Sequence, residues 1–523
     1  MGAVKEVVQY ASVLGRTFAT DTLQEMMSLD ERRMTPSLSE LINAELLFTR
    51  GQPPHESYVF RHTLLQETAY SSMLRGRRQM LHRLAAKAIE RIRPDTVERT
   101  PEVLSHHWRE AGEFAAAYPY AMKAGERALA RYVHTEARVR FTEAADAAAE
   151  LDYGIRMEAE ALVRRASVPG EKAAIHGDLE DLSAIRDAVE TLGDSTLVSE
   201  VDFHTGWLHY GLGDFEAAIL NATQSYERAE TTAGAATAAA EAGNLLARIH
   251  AIQGAPRLAI RFARRNAAQM AALGNTLEQA EITSVLAFSY GVSGEFGKAT
   301  AAAGEAVRLA ESINHLPTKA ACIFNRGVVL GWWGRIEEAE PDFEDVITLS
   351  HEINDLFRVY VAHGWRGQAL LQANELAAAE VDLDRCLALA EQIGTSFHYG
   401  AFKAYRAQLD LIRGRPAIDD ARAAVSISED QPWCQSIALR VLGETLIGID
   451  TPRAEGALQE AFALQIGREC WYDAAWTQVS QAKLLLGQGR TQEAETALAE
   501  AQVAFTEMGA GAGLAALGEI ERV

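Results

Sequence analysis

Small, apolar and polar positions recur about every 40 residues from about residue 200 to the C-terminus, with one shorter step of 35 residues between Gly414 and Ile449. Each period holds one residue, usually glycine, in a predicted loop between two helices, and we call this residue the loop anchor. In most periods a small residue lies seven positions before the anchor, and an alanine lies five positions after it. Glycine ends a helix by taking a left-handed conformation, and small side chains let two helices cross at ~8–10 Å. The pattern therefore predicts antiparallel helix pairs over residues 196–523, with anchors at Gly213, Gly254, Gly294, Gly334, Asn374, Gly414, Ile449 and Gly489.

These intervals resemble those of the tetratricopeptide repeat, whose usual length is ~34 residues. A period of 40 residues implies longer helices. We therefore predict an all-α fold, an α-solenoid of tetratricopeptide-like helix pairs. In residues 76–195 the triplet of small residue, loop anchor and alanine is less regular and is found only around Gly112 and Gly177. This segment is therefore predicted to be a helical linker with degenerate repeats.

Residues 1–75 have a different pattern and are predicted to form a small winged-helix domain. Apolar periodicity indicates a helix over residues 4–14, a second helix follows, and Asp30 can cap a third that runs to about residue 44. Two short apolar runs, residues 46–50 and 58–60, flank a Gly/Pro turn at residues 51–54 and predict a β-hairpin. The third helix carries Arg32 and Arg33 among several acidic residues, which disfavours DNA binding.

Charge and composition exclude several classes of function. The net charge of −22 disfavours nucleic acid as a partner, because binding to phosphates requires clustered Lys and Arg. The four cysteines are far apart, and each is predicted to be a buried helix residue. The sequence lacks both a signal-peptide core and a run of ~18 apolar residues, so we expect a cytoplasmic protein with no membrane contact.

Two N-terminal segments carry a more specific resemblance. Residues 11–18 (ASVLGRTF) and 60–70 (FRHTLLQETAY) are similar to the winged helix, and the junction after it, of STAND-type ATPase signalling proteins. Examples are class III adenylate/guanylate cyclases fused to an ATPase and tetratricopeptide repeats, and large LuxR-type regulators. The resemblance implies that the winged helix packs on a nucleotide-binding module and that a histidine reaches the bound diphosphate. By its position in the motif, His62 matches that histidine; the alternative is a histidine that caps or packs locally.

The sequence contains no phosphate loop of the form Gly-x-x-x-x-Gly-Lys-Ser/Thr and no recognisable cyclase site. We therefore predict a chain that is not an enzyme by itself and holds no cofactor, although a larger ATPase or cyclase polypeptide could include it. We expect the chain to be a truncated reading frame, a fragment or one part of a split system.

The inner groove of the solenoid is the predicted binding surface. Positions on the first helix of each pair that should face inward are Trp207, Tyr210, Arg248, Phe288, Trp332, Gln368 and Gln408. Aromatic residues next to an arginine are typical anchors for a peptide or ligand. The alternative is that longer helices rotate the register and place these aromatic side chains in the core.

A metal site is not predicted. His106 and His107 are adjacent, and neighbouring side chains on a helix point about 100° apart, so they do not easily share an ion.

The preferred function is a non-catalytic sensor and scaffold region of a STAND-type signalling protein, which binds a protein, peptide or small inducer in the groove. One alternative is the C-terminal part of a cyclase or ATPase polypeptide whose catalytic domains lie elsewhere. A second alternative is a free-standing repeat adaptor.

Overall fold

The computed structural model describes residues 2–28, 31–50 and 57–520. The chain divides into two compact units, one of Met1–Gly170 with Glu180–Gly193 and one of Glu171–Leu179 with Asp194–Val523. Within the described ranges, no helix is both long and apolar enough to cross a lipid bilayer.

The first unit begins with short helices and strands and continues with helices alone. Its elements are α1 (Gly2–Val13), β1 (Thr17–Ala19), α2 (Thr20–Met27), α3 (Glu31–Asn43), β2 (Leu47–Arg50), β3 (Ser57–Phe60), α4 (Thr63–Ser71), α5 (Arg75–Ile92), α6 (Pro94–Arg99), α7 (Pro101–Glu110), α8 (Phe114–Ala130), α9 (His134–Ala149) and α10 (Ile155–Ala166). A longer helix, α11 (Lys172–Thr191), then runs through the boundary between the two units.

The strands form an antiparallel sheet in the order β1-β3-β2. The helices and the β2–β3 pair follow the predicted order, but sequence analysis missed β1, whose three residues are too few to show a period. Phe18 of β1 packs on Tyr58 and Phe60 of β3, with ring centroids 5.8 Å and 5.7 Å away. Asp30 and the turn at residues 51–54, both predicted from the sequence, lie outside the described residues. The assignment as a winged helix stays a prediction.

The linker contains helix pairs, and one of its predicted turns is wrong. Gly112 does end a helix, since it has a φ of +75° between α7 and α8. Gly177, however, lies inside the continuous helix α11 and does not mark a turn. The turn in this region comes later, at Gly193, which has a φ of +70°.

The second unit is a series of long helices joined by short turns. They are α12 (Ser195–Leu212), α13 (Phe215–Thr231), α14 (Ala236–Ile252), α15 (Pro256–Leu273), α16 (Thr276–Val292), α17 (Phe296–Ile313), α18 (Leu316–Trp332), α19 (Ile336–Glu352), α20 (Leu356–Gln372), α21 (Leu376–Ile393), α22 (Tyr399–Ile412), α23 (Ile418–Ile427), α24 (Pro432–Leu446), α25 (Thr451–Gly467), α26 (Trp471–Gly487), α27 (Thr491–Met508) and α28 (Gly511–Ile520). Each helix packs mainly on its neighbours in the chain, and each even-numbered helix from α12 to α24 also contacts the next even-numbered one. The predicted fold is confirmed: the array is an α-solenoid of tetratricopeptide-like helix pairs.

The backbone at the anchors explains the repeat. Gly334 has a φ of +83°, and Asn374 takes the same left-handed conformation with a φ of +63°. The anchor predicted at Ile449 is displaced by one residue, since the left-handed residue there is Gly448. At the small position of the pair α20–α21, a Cβ added to Gly367 would lie 2.8 Å from Leu383 Cγ. The small position therefore permits the close crossing that the sequence indicated.

Helix pairs that are far apart in the chain also meet inside the second unit. Arg468, before α26, donates from Nη1 to the backbone oxygen of Gln253, after α14, at 2.8 Å. Cys470 donates from Sγ to the backbone oxygen of Gly254 at 3.5 Å. We call these contacts, together with the Arg257–Glu469 ion pair, the α14–α26 closure. Inner residues of distant helix pairs also pack on one another, as Phe296 of α17 does on Tyr472 of α26, with ring centroids 5.3 Å apart.

Candidate ligand-binding site

The residues predicted to line the groove fall into two environments. Trp207 is 36% exposed, and Tyr210 and Arg248 are half-buried. Phe288, Trp332 and Gln368 are buried, and Gln408 is half-buried. The accessible residues come from the first pairs of the array, and the buried ones come from later pairs.

Trp332 lies in a group of rings that we call the interior aromatic cluster (Phe288, Trp332, Trp365 and Trp433). Its ring centroid is 5.1 Å from that of Phe288 and 5.2 Å from that of Trp365. Trp433, from the more distant helix α24, stacks on Trp365 at 5.7 Å. Trp332 is therefore only 3% exposed, and a ligand would have to displace neighbouring rings to contact it. This is the core environment that the sequence left open as an alternative.

The two glutamines have different partners. Gln368 is 2% exposed, and its Oε1 atom has no hydrogen-bond partner among the described residues. Gln408 donates from Nε2 to Glu444 at 3.0 Å. Arg440 donates to the same carboxylate at 2.8 Å, so Glu444 joins α22 to the polar face of α24. Burial of Gln368 and the Glu444 hydrogen bond of the half-buried Gln408 limit direct contact with a ligand.

The accessible part of the groove holds an arginine between an aromatic ring and a carboxylate. The Arg248 guanidinium lies 5.7 Å from the centre of the Trp207 ring, a cation–π distance. Its Nη2 atom is 3.9 Å from Glu281 Oε2. In the part of the chain that the structure describes, the buried Nε–H of Arg248 has no acceptor. A buried donor without a partner is costly, so a movement of the Arg248 side chain that brings Nε to an acceptor of a ligand would be favourable.

Carboxyl groups on α16 complete this surface. Glu281 accepts a hydrogen bond from the Thr318 hydroxyl at 2.8 Å. Burial raises the pKa of Glu278 to about 8, and repulsion from Glu281 and Glu241 adds to the shift. We call Trp207, Tyr210, Arg248, Glu278 and Glu281 the inner-face site. A carboxyl whose pKa is raised by burial and like charge is a recognised mark of functional sites.

Sequence analysis did not name Glu278 or Glu281, because it followed positions close to the loop anchors. Both lie near the start of α16, more than one helical turn further from Gly294 than the positions considered. Their spacing of three residues places them on one face of the helix, and this spacing could have indicated a surface with two carboxyl groups from the sequence alone.

His62 precedes the first residue of α4. Its side chain is exposed and makes no capping hydrogen bond, so it does not act as a local cap. An exposed imidazole at this point is accessible to a partner.

Lys and Arg are dense between residues 75 and 93, in an otherwise acidic chain, and most of them are paired within the first unit. Arg91 donates to Glu25 at 2.6 Å, and Arg93 donates to both oxygens of Asp21 at 2.8 Å. These ion pairs attach α5 to α2. This basic segment therefore serves as a contact surface for acidic residues of its own unit.

A second surface of the array is basic. A cavity of about 500 Å³ is lined by residues of α15 to α17 that include Arg257, Arg261, Arg264 and Lys298. Lys298 already pairs with Glu295, and Arg257 belongs to the α14–α26 closure. Arg261 lies over the Phe262 ring, so three of these four cations have partners, and the inner-face site with its accessible Trp207 is the stronger candidate.

The structure also brings together three histidines that the sequence did not associate. His82 of α5 lies beside His106 and His107 of α7, and the nearest ring nitrogens of the three all lie within 4.8 Å of one another. Burial lowers the pKa of His82 to about 4 and that of His107 to about 3. The adjacent pair on α7 does not easily share an ion by itself, but the folded chain adds His82 from α5, and Glu110 follows four residues after His106.

Comparison with known proteins gives partial likenesses. No protein-family model matches the chain. An uncharacterized protein of Rhizobium meliloti (strain 1021) is 28% identical over 160 residues, which are 30% of this chain and 16% of that protein. The chain thus matches a small part of that relative's length.

Three solved structures share the helical architecture at low identity. A STAND protein with a tetratricopeptide repeat sensor from Pyrococcus horikoshii has a TM-score of 0.49 and 13% identity, over 84% of this chain and 64% of that one. The Rap conjugation gene regulator of plasmid pLS20 with the Phr* peptide gives 0.41 and 12%, over 68% and 98%. A Rap protein complexed with competence and sporulation factor gives 0.39 and 11%, over 75% and 98%. Because each TM-score is below 0.5, these likenesses assign neither a family nor a function to this chain.

Proposed function

We propose that this chain is a non-catalytic sensor and scaffold region of a STAND-type signal-transduction protein, and that it binds a peptide or protein segment at the inner-face site. The observation that carries the binding role is the accessible Trp207 ring beside Arg248, whose Nε–H lacks an acceptor in the described structure. An aromatic ring next to an arginine is a typical anchor for a peptide.

The charges of the site favour a basic ligand. Glu241, Glu278 and Glu281 lie close enough for their charges to interact, whereas Arg248 is the cation that contacts Glu281. Arg248 already lies over Trp207 and beside Glu281, so a lysine or arginine of the ligand would place its charge near Glu278, whose ionised form it would favour. A peptide carbonyl can accept from the guanidinium of Arg248, whose side chain is half-buried. The net charge of −22 favours the approach of such a ligand.

The signalling role rests on the sequence resemblance around residues 11–18 and 60–70. In this proposal the N-terminal domain is a winged helix that couples ligand binding to a nucleotide switch on an ATPase module, with His62 facing the nucleotide. The ligand must bind the two states of that switch with different affinity, since equal affinity shifts no equilibrium. His62→Ala is expected to change basal signalling in the assembled system, and an unchanged basal signal would remove His62 from the proposal.

Selection from a random peptide library on the immobilised full chain tests the binding role. We expect the retained peptides to be enriched in lysine or arginine next to an apolar residue. The best peptide is then titrated by calorimetry into the wild type and into Trp207→Ala and Arg248→Ala, and each variant should weaken binding about tenfold or more.

The matched control is Trp471→Ala, because Trp471 is an exposed tryptophan at the start of α26, outside the site. It should bind as the wild type does. Recovery of acidic peptides, or equal affinity in Trp207→Ala and Trp471→Ala, would contradict the proposed site.

A further inference from the structure

The three histidines of the first unit form a compact group at the contact between α5 and α7. His82 and His107 are buried, with 1% and 4% of their surface exposed, whereas His106 faces solvent. The Nδ1 atoms of His82 and His107 are 2.9 Å apart. Two helices, which are separated by α6 in the chain, therefore present imidazole nitrogens to one point.

A second layer of polar groups holds His82 in place. The Tyr70 hydroxyl lies 3.0 Å from His82 Nε2, and it donates to Glu110 Oε2 at 3.4 Å. If His82 Nε2 carries the proton, it donates to Tyr70 and leaves Nδ1 with a free lone pair. A histidine that binds a metal through one nitrogen usually donates from the other in this way.

We propose that His82, His106 and His107 bind one divalent transition-metal ion of the zinc class, and that Tyr70 and Glu110 are positioning residues for His82. Ligand nitrogens of a tetrahedral zinc site lie about 3.3 Å apart, since each is ~2.0–2.1 Å from the ion. The observed nitrogens span no more than 4.8 Å, so small side-chain rotations bring all three to that distance. Solvent reaches the fourth position from the side of His106.

The ligand chemistry selects the class of ion. Imidazole nitrogens suit Zn²⁺, Co²⁺, Ni²⁺ and Cu²⁺, whereas Ca²⁺ and Mg²⁺ prefer oxygen ligands. The four cysteines of the chain lie in the second unit, so no thiolate of the first unit competes. The competing explanation is a buried hydrogen bond between His82 and His107 that needs no ion.

Titration of the metal-free full chain with Co²⁺ and Zn²⁺ distinguishes the two explanations. The Co²⁺ absorption spectrum reports coordination by nitrogen, and Zn²⁺ affinity follows by competition. We expect one equivalent per chain. His106→Gln and His107→Gln should each weaken Zn²⁺ binding about a hundredfold, and Tyr70→Phe should weaken it about tenfold.

His106 is exposed, so His106→Gln keeps the fold and decides the test even if His107→Gln is unstable. The matched control is His351→Gln, an exposed histidine in the last turn of α19, which should bind as the wild type does. Absence of stoichiometric binding, or equal affinity in His106→Gln and His351→Gln, would overturn the proposal.

Discussion

Glu278 is mostly protonated at neutral pH in the folded protein, because burial and the nearby Glu281 and Glu241 raise its pKa to about 8. A basic ligand at the inner-face site would favour the ionised form and release this proton. The residue therefore links the binding proposed for the site to the stability of the fold.

Replacement of Glu278 with glutamine should change how stability depends on pH. Below pH 4.5 the carboxyl is protonated in both the folded and the unfolded chain, so no penalty exists. As the pH rises to about 8, the unfolded carboxyl ionises while the folded one keeps its proton, and the wild type loses stability. We expect Glu278→Gln to remove this loss, a difference on the order of 2 kcal/mol because the side chain is only partly buried.

The measurement is the thermal midpoint or free energy of unfolding of both proteins across this pH range. Glu337→Gln, at an exposed position of α19, is the control and should follow the wild type. Parallel pH curves for the wild type and Glu278→Gln would show that Glu278 ionises freely in the folded state.

The positions of the candidate binding residues were only partly predictable from the sequence. The inward positions at Trp207, Tyr210 and Arg248 follow from the repeat register, and these residues do lie together. Trp332 occupies an equivalent helix yet is buried, because Trp433 from a distant pair packs on it. The register of the repeat gives the direction in which a side chain points, but its burial depends on which distant helices pack against it.

At the scale of helices, the close crossing within each pair depends on its small residue. Gly206 of α12 shows this, since an added Cβ would lie 3.1 Å from the backbone oxygen of Ala218 on α13. The triplet of small residue, left-handed loop and alanine could be read from the sequence because each part is local. The strand β1 and the shift from Ile449 to Gly448 could not, because each depends on a single residue or a very short segment.

Gly367→Ala tests the crossing. The new Cβ would lie 2.8 Å from Leu383 Cγ, so α20 and α21 must separate, and we expect a loss of ~1–3 kcal/mol in the free energy of unfolding. Gly304→Ala is the matched control on α17, where nothing lies within 4 Å of the added Cβ. There the higher helix propensity of alanine should add ~0.5–1 kcal/mol. Equal effects in chemical denaturation would contradict this explanation of the repeat.

At the largest scale, the second unit is stabilised by contacts between pairs that are far apart in the chain. Arg468 and Gln253 are separated by 215 residues, and their hydrogen bond joins the turn before α26 to the turn after α14. Such contacts depend on the rotation added by each helix pair. The sequence of one pair does not reveal the total rotation, and so the α14–α26 closure was not predicted.

Removal of one member of the closure should loosen it locally. Arg468→Ala deletes the donor to Gln253, and we expect faster amide exchange in the turns at residues 253–255 and 468–471. Arg453→Ala, which removes an exposed arginine that pairs with Asp450 at the start of α25, is the control. If amide exchange in these turns is no faster in Arg468→Ala than in Arg453→Ala, the closure does not hold these helix pairs together.

The most direct measurement for the proposed binding role uses the best selected peptide with a photoreactive group, cross-linked to the full chain and mapped by mass spectrometry. The inner-face site predicts cross-links on α12, α14 and α16, near Trp207, Arg248 and Glu281. It also predicts that Trp207→Ala reduces the yield and that Trp471→Ala does not. Cross-links confined to α15 and α17, or to the first unit, would contradict the proposal that this protein binds its ligand on the inner face of its repeats.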